Sequence, residues 1–103
     1  MYKLCFHVPE THLENVKHAI FNAGAGRMGQ YSHCCWQVCG EGQFMPLAGS
    51  NAFIGDVCQL EQVAEYKVET VCDKSCIDEV IAALKFAHPY EVPSYQVWSL
   101  ESF

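Results

Sequence analysis

At 103 residues, half of them hydrophobic, the chain fits a single domain (1–103) with one core and no second one. Aromatic side chains make up 13%, which excludes a disordered polar chain, because such segments lack the groups that drive burial. Twelve acidic against six basic side chains give a formal charge of −6. No run of Lys or Arg is present, so the electrostatic footprint of a nucleic-acid or anionic-membrane partner is missing.

The opening MYKLCFHVPET lacks a charged leader followed by a long apolar stretch, so a cytoplasmic protein is expected. No window approaches the length of a membrane span. The seven cysteines contain no C-x-x-C pair, and the reading that follows is reduced thiols used as small hydrophobes, most of them shielded.

Residues 2–8 alternate with period two: Leu4, Phe6 and Val8 point one way, and Lys3, Cys5 and His7 the other, as in a half-buried strand. Pro9 ends it. Thr11 and Glu14 form T-x-x-E, the spacing by which side chains satisfy the free donors of a helix start. Leu13, Val16, Ala19, Ile20 and Ala23 recur at helical spacing, and Gly24 suits a left-handed cap after them.

A second strand is predicted from Tyr31 to Cys39. It has Cys34, Trp36 and Val38 on one face and Tyr31, His33, Cys35, Gln37 and Cys39 on the other. A Gly-rich stretch of roughly twenty residues follows, longer than an ordinary hairpin loop, with Phe44, Pro46, Leu47, Phe53 and Ile54 as apolar anchors. The third strand, about Val63 to Cys72, sends Tyr66, Val68 and Thr70 inward and Lys67, Glu69 and Val71 outward. Ser75 and Asp78 open a second helix with an apolar stripe of Ile77, Val80, Ile81, Leu84 and Ala87. Pro89 stops it, and a last strand runs from about Ser94 to Leu100.

Strand, helix, strand, strand, helix, strand is the order of an α+β, ferredoxin-like βαββαβ sandwich: one antiparallel sheet with both helices on one face. The opposite face is left open. With the first and third strands central, Cys5, His7, His33, Cys35 and Glu69 are expected to share it. A half-apolar open face implies that something packs against it.

Three motifs bear on chemistry. GAGRMG at Gly24–Gly29 satisfies G-x-G-x-x-G, but a dinucleotide site needs these glycines after a strand and before a helix. Here they close a helix and lead into a strand, so a cap and turn are expected. A pool of soft ligands, His7, His33, Cys35 and His88 with the Glu91 carboxylate, suits a divalent metal such as zinc or copper by donor type. Its spacing matches no metal motif. Cys5, Cys39 and Glu69 belong to the same pool. The third is His88-Pro89-Tyr90-Glu91-Val92-Pro93, a rigid turn at the helix exit. No arrangement of nucleophile and base stands out, and no catalytic residue is assigned.

HPYEVP closing the second helix resembles the CutA family of small trimeric proteins. GAGRMGQYSHCCW, GEGQFMPLAGSNAFIG and HPYEVPSYQVW, in that order, resemble the domain inserted in the YqfO branch of the NGG-interacting-factor-like proteins, often described as GTP cyclohydrolase 1 type 2. The resemblance implies a CutA/PII-like fold and trimeric contacts. It also implies that the family's dinuclear metal site belongs to flanking halves outside this stretch. Cys35, Cys39, Cys58, Cys72 and Cys76 depart from the family pattern.

The expectation is therefore a stand-alone, non-enzymatic CutA/PII-like binding or regulatory module that forms a homo-oligomer, a trimer, and takes a small-molecule or metal ligand. Its interface would use Cys5 and Val71 on the open face, with Phe44, Phe53, Ile54 and Tyr90 reaching a neighbour. The alternatives are a CutA-type zinc or copper binder and a nucleotide hydrolase.

Overall fold

The computed structural model describes residues 1–103. The chain forms β1 (Tyr2–Pro9), a short 3-10 turn (Glu10–His12), α1 (Leu13–Asn22), β2 (Cys35–Phe44), β3 (Glu61–Cys72), α2 (Ile77–Ala87) and β4 (Tyr95–Ser99). The four strands make one antiparallel sheet in the order β2-β3-β1-β4. This is the predicted α+β, ferredoxin-like order. No helix is long and apolar enough to cross a membrane.

Period-two alternation in β1 and the helical stripes of α1 and α2 build the core. Leu4, Phe6 and Val8 from β1 and Val68 from β3 are fully buried with Val16 and Ile20 of α1 and Val80 and Leu84 of α2. Each such side chain contributes about 1.5–3 kcal/mol by leaving water. Tyr66, Val68 and Thr70 face inward as predicted, and Tyr66 packs partly buried against the core.

The helix starts differ from the sequence reading. Thr11 lies inside the 3-10 turn, and α1 is capped by His12 with no side-chain cap bond. Thr11 Oγ1 instead lies 2.9 Å from His12 Nδ1. Ser75 is not the cap of α2 either. Cys76 holds that place, and Ser75 and Cys76 turn on Asp73 through their backbone N–H groups. The predicted left-handed close of α1 holds: Gly24 has φ +115°, and its N–H donates to Phe21 O.

The second strand is shifted. It begins at Cys35, because Met28 and Tyr31 pair in a tight turn of their own and His33 adopts φ +60°. It then runs through Gly40 and Gly42 to Phe44, opposite Glu61, so the connection to β3 is only residues 45–60. A Cβ on Gly42 would collide with the Glu65 carboxylate. The glycine leaves the Glu65 carboxylate room to lie across β2.

The faces of β2 are also the reverse of the expectation. Cys35 stands opposite Thr70 and Gln37 opposite Val68, both of which face the helices, and Lys17 of α1 donates to Gln37 Oε1 at 2.9 Å. Cys35 is therefore on the helix side, where His33 packs on Phe21 of α1 at 5.1 Å between ring centroids. Neither shares the open face with Cys5, His7 and Glu69. Trp36 and Val38, opposite Glu69 and Lys67, do.

Candidate functional site

Two of the motifs singled out above meet in space. The segment after β2 and the HPYEVP turn after α2 fold towards each other beyond the C-terminal end of β1 and border an open cavity of about 600 Å³. Phe44, Phe53, Tyr90, Glu65, Glu91 and His7 are among its walls. Tyr90 is the hub. Its ring lies 5.9 Å from Phe44, 6.4 Å from Phe53 and 5.1 Å from His88, and its hydroxyl donates to Glu65 Oε2 at 2.7 Å. Burial first, and then the neighbouring Glu65 carboxylate, push the Tyr90 phenol well above its ordinary value. Glu91 Oε1 accepts the Asn51 N–H at 2.9 Å, which pins the loop to the turn. Phe53 also meets His12 edge-on at 5.3 Å.

His88 sets the turn in place. Its ring is buried, Nε2 lies 2.7 Å from His7 O, and Nδ1 accepts the Tyr90 N–H at 3.2 Å. Because Nδ1 must accept, the proton sits on Nε2 and donates to the carbonyl. The ring is thus a neutral single tautomer, and burial holds its pKa below the usual histidine value. Both nitrogens are committed to backbone groups.

The residues of the soft-ligand pool are dispersed. His7 and Glu91 reach the cavity, His88 is locked behind it, and His33 and Cys35 line a shallow hollow beside α1 with His18. No group of three or more His, Cys, Asp or Glu side chains is placed to hold a metal ion. The sequence reading missed Glu65, the partner of Tyr90. Its one signal was Gly42, whose role is visible only once β2 and β3 are in register.

The thiols also sort differently from the expectation. Cys5 and Cys72 are buried, but Cys35, Cys39 and Cys58 are exposed, so shielding covers only part of the set. Cys72 and Cys76 stand with their sulfurs 3.4 Å apart, both free. Burial and the Cys76 contact push the Cys72 thiol up to about 12.

The open face has its own order. Glu69 accepts from Lys3 and Lys67 at 3.2 Å each, and those bonds, Lys3 first, hold its carboxyl below the usual range. Cys5 lies opposite Glu69 with 2% exposure, and burial raises its thiol pKa. Val38, Val71, Trp36 and Trp98 surround this cluster, the tryptophans 59% and 49% exposed. Of the residues expected at an interface, Cys5 and Val71 lie here; Phe44, Phe53, Ile54 and Tyr90 line the cavity.

No family model matches the chain. It is 45% identical over 98 residues to a GTP cyclohydrolase 1 type 2 homolog of Mycobacterium tuberculosis, covering 95% of this chain and 26% of that protein. A protein of the same name from Bacillus subtilis is 46% identical over 99 residues, with 96% and 26% covered. Among solved structures, a Bacillus cereus protein related to NIF3 matches with TM-score 0.82 and 40% identity, over 98% of this chain and 26% of that one. The chain resembles one segment of the GTP cyclohydrolase 1 type 2 homologs and has a CutA/PII-like fold. It spans about a quarter of the length of those relatives. The fold likeness extends to the periplasmic divalent cation tolerance protein CutA from Archaeoglobus fulgidus, with TM-score 0.69 and 15% identity over 100% of this chain and 87% of that one. It extends also to the PII-like protein CutA from Nostoc sp. PCC 7120, with TM-score 0.68 and 15% identity over 98% and 82%.

Proposed function

We propose that residues 1–103 form a single CutA/PII-like binding or regulatory module, without catalysis of its own, that assembles as a homo-oligomer, a trimer, through the open sheet face. The observation that carries this reading is the inverted β2: its more apolar side, Trp36 and Val38, is turned away from the helices and exposed. A chain that spends its tryptophans on an uncovered face is built for a partner, and self-association matches the CutA/PII-like fold. A stable interface of this kind buries more than about 1,000 Å² in total. Light scattering at micromolar concentration is expected to report a trimer or a multiple of it. Val71→Glu should dissociate it by placing an unpaired charge inside the interface. A folded monomer of the unsubstituted protein at that concentration would end this reading.

The likeness to a divalent cation tolerance protein favours a second reading, zinc or copper binding. Side chains of one chain do not fit such a site, because no three donors converge. Ligands would have to come together from more than one subunit. Metal analysis of tag-free protein decides this: stoichiometric zinc or copper supports it, and metal-free protein that still assembles removes it.

A further inference from the structure

We infer that the cavity between residues 45–60 and the HPYEVP turn is a site for a small organic cation, an ammonium or quaternary ammonium group carrying an apolar body. The inference rests on reading the chain as a binding module, but not on its assembly, because every wall named comes from one chain. At about 600 Å³ the space is in the range of small-molecule sites. No Lys or Arg is among its lining residues, whereas Glu65 and Glu91 are. Phe44 and Phe53 stand 5.9 Å and 6.4 Å from Tyr90, so three aromatic rings gather at one end. Ring faces attract a cation through their quadrupole, and more strongly when the site is partly dry.

Each of the two carboxylates is held by one hydrogen bond. Glu65 uses Oε2 to accept from Tyr90 and Glu91 uses Oε1 to accept from Asn51. Restraint of this kind lowers the ordering cost of binding. An anion would find no Lys or Arg here. A bare metal ion would find no three convergent donors. A soft, weakly hydrated cation needs neither, and the apolar walls (Pro46, Leu47 and Ile54 among them) take its body.

The test is calorimetric titration of the 103-residue protein with choline and with 3,3-dimethylbutan-1-ol, which has the same shape without the charge. Choline is expected to bind about ten-fold more tightly than the alcohol. Phe53→Ala, on an exposed loop position, should abolish most of that preference, and Phe53→Tyr should keep it. Glu91→Gln should reduce it. Circular dichroism and light scattering on the same samples report fold and assembly. Equal affinities for the two probes, or no binding of either by folded, assembled protein, would overturn the inference. Saturable nucleotide binding that Phe53→Ala removes would overturn it too. A choline-selective monomer would instead sink the assembly reading and leave this one standing.

Discussion

On the helix side of the sheet, Leu4, Phe6 and Val8 meet Val16, Ile20, Val80 and Leu84 with no exposure at all. On the other side, Trp36 and Trp98 are about half exposed around the Lys3–Glu69–Lys67 cluster. Both faces carry large apolar side chains, yet only one has been closed by the chain itself. Burial on the first face supplies folding energy directly. On the second, the same type of surface stays exposed around a paired charge cluster. Apolar content alone therefore does not say which face a strand turns to the core.

The largest effect expected from this contrast is on the closed face. Phe6→Ala should cost about 3–5 kcal/mol, since the cavity left behind adds to the lost transfer energy. Val71→Ala on the open face should leave the melting of the isolated fold within about 0.5 kcal/mol. Chemical denaturation of both variants checks this, and equal losses would erase the distinction between the faces.

Next in size is the turn that joins α1 to β2. Gly26 has φ +82°, its N–H donates to Val71 O, and a Cβ there would meet Cys34 N and the Phe21 ring, each at 2.9 Å. Gly26→Ala should therefore cost more than the roughly 1 kcal/mol of the backbone term alone. Gly29 has positive φ with open space around it, so Gly29→Ala should cost only the strain. Thermal melts that rank Gly29→Ala as the worse substitution would contradict the packing described.

A smaller effect should appear with pH at the cavity end. His88 is neutral in the fold and its pKa is depressed by burial, so the folded state binds fewer protons there than the unfolded chain. The stability linked to this ring is present above the unfolded value near about 6.5 and is lost as pH falls through that value towards the folded one. Wild-type protein should lose stability on the acid side more steeply than His88→Gln, as urea midpoints measured across this window would show. The smallest signal is kinetic: Cys35, Cys39 and Cys58 should react quickly with a thiol reagent in native protein, and Cys5 and Cys72 slowly. Mass-mapped labelling that reverses this order would contradict the burial of the thiols described above.

The helices, three of the four strands and the closed face are legible in the sequence because each is signalled by local periodicity. Val16, Ile20, Val80 and Leu84 recur at helical spacing, and Leu4, Phe6 and Val8 alternate. The shift of β2 is not legible. It depends on Gly26 reaching Val71 O and on Thr70 donating its hydroxyl to Cys34 O at 2.6 Å, contacts between residues far apart in the chain. For the candidate site, the sequence supplied Phe44, Phe53, Ile54, Tyr90, His7 and Glu91, but as interface or metal residues and in separate motifs. Glu65 went unnoticed because it is one charged residue in an alternating strand until Gly42 and Tyr90 come to lie against it.

By itself, then, the sequence determined the element order, the α+β sandwich and the residues of the closed core, since hydrophobic spacing acts over neighbouring turns and pleats. Only the tertiary structure decided which side of β2 faces solvent, which glycines admit a neighbour, and that two distant motifs border one cavity. Those outcomes are set by strand register, and register is fixed by pairing across the sheet, where a change of partner moves a whole row of side chains from one face to the other.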